Sequence, residues 1–177
     1  LINKNNCLPK GYTVNLSDAF PGSPYKLDSR VSPYYEQMYN ADAKDGIYLT
    51  PVSGYRSVEK QKANFNRKID YYKNQGYNKK DATVKASMTV FLPGASEHNA
   101  GLAMDIISLD TDFEETKAFA WLSEHAADYG FILRYDKSKT DITGAVYEPW
   151  HWRYVGEKAA KEMKASGQCL EEYLGAY

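Results

Sequence analysis

Helical periodicity dominates residues 32–89 of this sequence, broken at 47–52, and strand-like alternation becomes regular after Gly101. Ser32-Pro33 reads as an N-cap with proline at the first helical position, opening a helix to about Asp45, where Gly46 supplies the stop. Tyr35, Met38, Tyr39 and Asp42 share one face of that helix. Ile47–Val52 has strand character up to Pro51, whose missing N–H suits an edge or a strand end. Ser57 is the expected N-cap of a second helix, with Val58, Phe65, Ile69 and Tyr72 at helical spacing and an end near Gly76. Gln61 falls on the same face, so its amide either bonds backbone or points into a site beside Arg56. Residues 79–89 form a weaker helical segment, and Phe91–Ala95 a loop.

From Leu102 onward, Leu102, Met104 and Ile106 point one way and Ala103, Asp105 and Ile107 the other. Thr111-Asp112-Phe113-Glu114 reads as a capping box, starting a helix through Trp121 and Leu122 to Tyr129, stopped by Gly130. Phe131–Tyr135 and Trp150–Val155 are strands, separated by a polar loop with Gly144. Glu157–Ser166 is a helix stopped by Gly167, and Cys169–Tyr177 a short helix or docked arm. Residues 1–28 are polar and turn-rich, an N-terminal arm packed on a single domain of residues 29–177. Helices first, then strands mixed with helices, predict an α+β fold with a small, mainly antiparallel sheet flanked by helices.

Composition changes this picture little. A chain of 177 residues, 43% hydrophobic and 25% charged, makes one ordinary core and needs no metal merely to fold. A net charge of -1 gives no overall basic field for nucleic acid or anionic lipid. No apolar run is long enough to cross a membrane. The first residue is Leu1, as in a trimmed or mature fragment, and a monomer is expected. Most of the 16 tyrosines suit core edges, where the ring is buried and the hydroxyl wet. Cys7 and Cys169 stand near opposite termini. A disulfide between them is expected, implying an oxidising, extracytoplasmic setting; unpaired thiols would allow a cytoplasmic one.

Candidate chemistry lies in two clusters. Ser96–Asp105 holds His98 and Asp105, and Glu148-Pro149-Trp150-His151 follows about fifty residues later. Asp105 is a carboxylate inside an apolar strand, costly to bury unless paired or bound to metal. Two imidazoles and one carboxylate match a catalytic zinc (Zn2+) site, which keeps a position open for water. Glu148, held by Pro149, remains free as a general base. Arg56 is either a surface ion-pair partner or a guanidinium for a substrate carboxylate or oxyanion. His125, on a helix with no matching motif, reads as structural.

The blocks Ser53-Gly54-Tyr55-Arg56-Ser57, Ser96-x-His98-x-x-Gly101-x-Ala103-x-Asp105 and Glu148-Pro149-Trp150-His151 resemble those of zinc D-alanyl-D-alanine carboxypeptidases of the VanY type. That family includes VanX/VanXY dipeptidase-carboxypeptidases and L,D-carboxypeptidases. The similarity runs from about Val52 to Gly156 and takes in the strand Phe131–Tyr135 and the loop ending Asp141-Ile142-Thr143-Gly144. It implies a hedgehog/DD-peptidase-like fold and zinc bound by His98, Asp105 and His151. It also implies Glu148 as catalytic base and Arg56 near the scissile carbonyl. Ser96 and Gln61 match substrate-contacting positions, Trp150 would line the cleft, and Ser53 and Tyr55, just before the arginine, are expected to bind substrate as well. The implied substrate is a peptidoglycan stem pentapeptide or precursor ending in D-Ala. Other readings are an L,D-carboxypeptidase acting on tetrapeptide stems, a D,D-dipeptidase, a phage-type endopeptidase, and a non-catalytic zinc domain that binds wall peptide.

Overall fold

The computed structural model describes residues 1–177. Leu16–Asp18 (β1) and Lys26–Asp28 (β2) form an antiparallel hairpin. Ala19 and Leu27 reach from it into the main apolar core. Next comes α1 (Ser32–Lys44), with Pro33 in its first turn. The helix is entered at Val31 rather than at the expected cap Ser32. The Ser32 hydroxyl is engaged by Ser17 at 2.8 Å, so it is not available to cap.

The expected strand Ile47–Val52 is shorter and later: β3 is Pro51–Ser53. The reason lies in α1. Asp42 Oδ2 accepts from the Leu49 N–H at 2.8 Å, and the Tyr35 hydroxyl donates to the Leu49 carbonyl at 3.1 Å. With its backbone groups taken by a helix, Leu49 has none to give a ladder. Next come α2 (Val58–Asn74) and α3 (Lys79–Thr89), packed chiefly on each other. Each starts at a side-chain cap, Ser57 accepting from Lys60 N and Asn78 from Asp81 N.

β4 (Ala103–Ile106) is followed by a 3-10 turn, Thr111–Glu115, and then α4 (Lys117–His125). The expected capping box at Thr111 does not form. Glu114 instead takes Lys137 and Tyr147, and Thr116 caps α4 by accepting from Phe119 N at 3.2 Å. β5 (Phe131–Tyr135), α5 (Thr140–Thr143), β6 (Glu148–Tyr154), α6 (Glu157–Ser166) and α7 (Leu170–Tyr173) complete the chain. β6 begins two residues before the expected Trp150 and includes Pro149.

The sheet order is β3-β4-β6-β5, with every neighbour antiparallel. Its two faces differ. Met104, Trp152 and Leu133 are cross-strand partners. Met104 and Trp152 lie in the main core with Tyr35 and Met38 of α1 and Trp121 and Leu122 of α4, and Leu133 packs against it. Asp105 and His151 pair on the other face, as do Ala103, Arg153 and Ile132. At the β5 end Ile132 is covered by Ala160, Met163 and Leu170 of α6 and α7. One face therefore supplies the core, and the other is left for chemistry.

The expected disulfide is absent: both cysteines are free, Cys7 exposed and Cys169 buried. The N-terminal segment does meet α7, where Asn3 donates to Glu171. By Leu8 it has moved to the loop before the sheet, its N–H bonding the Gly94 carbonyl at 2.8 Å. Cys7 travels with that segment, while Cys169 opens α7. Unpaired thiols remove the cysteine argument about compartment.

Burial lifts the Asp42 carboxyl from its ordinary 3.8 to about 6, against the hydrogen bond from Leu49 N. A raised carboxyl pKa favours the folded state at low pH. That advantage is lost as pH rises from about 4 to about 6, a change on the order of 2 kcal/mol. Asp42→Asn keeps the acceptor for Leu49 and removes the titration. Across that window the unfolding free energy of the variant should rise relative to the parent, then level off, as read from urea melts.

Candidate active site

Three side chains converge on the polar face of the sheet. Asp105 is on β4, His151 lies opposite it on β6, and His98 is on the 3-10 turn Glu97–Ala100 just before β4. All three are buried, and their ligand atoms lie within 4.8 Å of one another. His98 Nε2 is 3.3 Å from Asp105 Oδ2, and His151 Nδ1 is 3.3 Å from Asp105 Oδ1.

Two glycines let the backbone come this close. Gly101 ends the turn at φ 65, and a Cβ there would sit 2.5 Å from the Asp28 nitrogen. A Cβ on Gly54 would sit 2.6 Å from the Lys26 carbonyl oxygen. The Gly54 carbonyl lies 2.8 Å from His98 Nδ1, which fixes the ring proton on Nδ1 and leaves Nε2 as a lone pair. Asn99 ties the turn down, donating to the Arg56 carbonyl at 2.7 Å and accepting from Gly94 N at 3.0 Å. The Arg56 N–H in turn donates to the His98 carbonyl at 3.0 Å.

His151 is held in the mirror arrangement. Its Nε2 is 3.2 Å from Glu97 Oε2, so Nδ1 turns toward Asp105. Burial disfavours a charged ring, but the carboxylates of Asp105 and Glu97 outweigh it and hold the imidazole at about 9. Asp105 is itself kept far below the usual carboxylate range, because the two histidines overcome its burial. Its Oδ1 is buried without a hydrogen-bond partner. Two imidazole nitrogens and an unsatisfied carboxylate oxygen face a common point, and a cation there would satisfy all three. The donor set, two nitrogens and one carboxylate, fits zinc.

Glu148 reaches the same point because β6 is irregular. Leu133 pairs with Trp152, but Tyr135 pairs with Glu148, so two extra residues of β6 are accommodated between them. Strict alternation would put residues three apart on opposite faces. The irregularity, at Pro149, brings Glu148 Oε2 to 3.6 Å from His151 Nδ1. Burial, with Asp105 and Glu97 nearby, lifts the Glu148 carboxyl to about 7 against the pull of His151 and Arg56.

Arg56 is not a surface residue. It is half-buried, its Nη1 donating to Gln61 Oε1 at 2.9 Å and its Nη2 to Ser53 Oγ at 2.8 Å. Gln61 is buried and donates to the Phe91 carbonyl at 2.6 Å, so its amide is satisfied on both sides. Burial lowers the guanidinium's pKa, and the charges of Asp105 and Glu148 oppose that shift. Ser96 is buried at the start of the His98 turn. Tyr55 is half-buried, and its N–H donates to the Lys26 carbonyl. Trp150 is half-buried and packs against the main core. His125 stands apart at the end of α4, its ring 4.8 Å from that of Trp121.

Sequence reasoning missed the charges behind the candidate metal ligands. Arg134, fully buried on β5, donates through Nε to Glu97 Oε1 at 2.7 Å. Its Nη1 and Nη2 grip both oxygens of Glu171 on α7, at 2.8 and 2.6 Å. Arg153 Nη1 adds an ion pair to Glu97 at 2.9 Å, and Asn3 donates to Glu171 at 3.2 Å. Glu97 is fully buried, yet these cations and His151 keep it ionised, well below the usual carboxylate range. Tyr135 was missed as well; its ring lies 4.9 Å from that of His151. The signal for Arg134 was there, a charged residue inside an apolar strand.

Removing the charge on Glu97 or Glu171 should loosen His151. Glu97→Gln and Glu171→Gln are each expected to weaken zinc binding about 10- to 100-fold, read by competition with a chromogenic chelator. Glu148→Ala should leave zinc affinity unchanged in the same assay.

Comparison with known proteins agrees with this geometry. The family model for VanY, D-alanyl-D-alanine carboxypeptidase, matches residues 24–157. A D-alanyl-D-alanine carboxypeptidase of Enterococcus faecalis is 41% identical over 98% of this chain, which spans 64% of that relative's length. A vancomycin-resistance D,D-pentapeptidase VanY, solved as a variant in complex with Zn(II), superposes with a TM-score of 0.87. That pair shares 41% identity over 98% of this chain and 97% of the other. The LdcB LD-carboxypeptidase superposes with a TM-score of 0.86, at 36% identity over 99% of this chain and 85% of the other. The zinc of that neighbour is the metal that the donor set of His98, Asp105 and His151 fits. With the matched segment covering the whole four-stranded sheet and all three candidate ligands, the chain belongs to the VanY D-alanyl-D-alanine carboxypeptidase family.

Proposed function

We propose that this domain is a zinc D,D-carboxypeptidase that removes the terminal D-Ala from peptidoglycan stem pentapeptides or their precursors, acting outside the cytoplasmic membrane. The observation that carries the reading is Glu148. It is a buried carboxyl at the edge of the metal site, 3.6 Å from a ligand nitrogen, and it makes no hydrogen bond of its own. A purely structural zinc domain needs no such group.

When bound, zinc supplies a Lewis acid that makes water nucleophilic near neutral pH and polarises a carbonyl. Glu148 takes the proton of the attacking water and delivers it to the nitrogen of the departing D-Ala. Arg56 stabilises the oxyanion that develops on the scissile carbonyl. Ser53 and Gln61 hold its guanidinium plane, so little reorganisation is needed as charge develops. Ser96, Tyr55 and Trp150 belong to the surroundings of the peptide. The likeness to an LD-carboxypeptidase favours a second reading, in which the same machinery trims a tetrapeptide stem.

Products identified by mass, after incubation with pentapeptide, tetrapeptide and D-Ala-D-Ala, separate the readings. Loss of one D-Ala from the pentapeptide alone is expected. Turnover of the tetrapeptide alone would assign L,D specificity, and turnover of none would end the enzymatic reading. Glu148→Ala should cut kcat about 100- to 10,000-fold with zinc retained. Arg56→Ala should cost about 100- to 1,000-fold in kcat.

A further inference from the structure

The net charge of -1 is a sum of unlike parts. Of the 22 basic and 23 acidic residues, eight and three fall within residues 58–89, leaving that helical hairpin at +5 and the rest of the chain at -6. Little of this charge is neutralised. Lys73 pairs with Asp70 at 3.1 Å, and no other lysine or arginine of α2 or α3 has a carboxylate partner within ion-pair distance.

Two of these lysines are held by aromatic rings instead. Lys68 Nζ lies 4.8 Å from the Tyr71 ring centroid and 5.3 Å from that of Tyr72. Lys85 Nζ lies 4.6 Å from the Tyr77 centroid and 5.9 Å from that of Tyr72. Tyr71 and Tyr77 are exposed. A ring orients an ammonium without cancelling its charge. The result is a cluster of three tyrosines, Tyr72 meeting Tyr71 and Tyr77 edge to face, edged by cations, with Lys79 and Lys80 exposed in the first turn of α3. The hairpin is joined to the active site at its base, where Gln61 of α2 holds Arg56 and bonds Phe91, just beyond α3.

We propose that the α2–α3 hairpin is a docking surface for an anionic polymer of repeating phosphodiesters joined by polyols or sugars. Charge complementarity selects the phosphates, and the exposed tyrosines give the apolar C–H faces of the polyol or sugar a surface to stack on. A partner of this chemistry in the wall would hold the enzyme beside its peptide substrate. The link between the hairpin and the site takes its meaning from the proposed function, but the binding itself does not require catalysis.

The test is anisotropy of labelled poly(glycerol phosphate) titrated with the zinc-loaded protein at several salt concentrations. Binding should weaken steeply with salt. Lys68→Gln/Lys85→Gln should weaken it at least tenfold and reduce the log–log salt slope by about 1.4. Tyr71→Ala/Tyr77→Ala should weaken it with the slope nearly kept. Cleavage of a soluble pentapeptide should be unaffected in both variants. The proposal is overturned by absence of binding at about 50 mM salt, by parental affinity in the lysine variant, or by equally tight binding of single-stranded DNA of matched charge. Polymer binding by a protein that cleaves no peptide would sink the catalytic reading and leave this one standing.

Discussion

Glu97 has two oxygens, and they do different work. Oε2 faces the ring nitrogen of His151, while Oε1 faces Arg134 and Arg153. The first contact sets which imidazole nitrogen turns toward Asp105. The second keeps a fully buried carboxylate ionised. An isolated carboxylate in that position would take up a proton to escape its burial, and would then be a poor orienter of an imidazole. The geometry of the candidate metal ligands therefore depends on two arginines that are not among them. Arg134 is satisfied in turn by both oxygens of Glu171, and Glu171 by Asn3. Such a chain is stable because every member has a partner, and removing one leaves a buried charge without compensation.

The sheet divides the labour of the fold. Its apolar face closes the core against α1 and α4, and its polar face presents Asp105 and His151 from adjacent central strands. Cross-strand pairing fixes the relation of these two, whereas His98 and Arg56 arrive on turns. Those turns are placed by close contact with β2 at Gly54 and Gly101 and by the amide of Asn99. The small hairpin at the N-terminus is thus part of the support of the metal site.

Much of this was legible in the sequence. Asp105 was singled out by alternation, as a carboxylate inside an apolar strand, and it lies where that argument put it. The helices over 58–74 and 157–166 follow from caps and periodicity. What was not legible depended on long-range contacts. The strand at Ile47 was lost to Asp42 and Tyr35, and the capping box at Thr111 to partners of Glu114 far along the chain. The irregularity that turns Glu148 inward belongs to a pairing, not to a segment. Arg134 was readable by the logic used for Asp105, but Glu97 was hidden beside a more conspicuous histidine. The disulfide inference failed because proximity of termini says nothing about which residues of each terminus meet.

The link from His151 to Glu171 also bears on the order in which the site can form. A chain is made from its N-terminus onward, and all three metal ligands are present once β6 exists. Arg134 still lacks the partner on α7 that takes two of its nitrogens. Without α7, two nitrogens of this buried guanidinium have no carboxylate to meet, which leaves its charge only partly compensated. Residues 170–173, a single turn of helix outside the segment matched by the family model, therefore close the charge network behind the candidate site. In this sense the network behind the candidate site is completed after all three candidate ligands have been made.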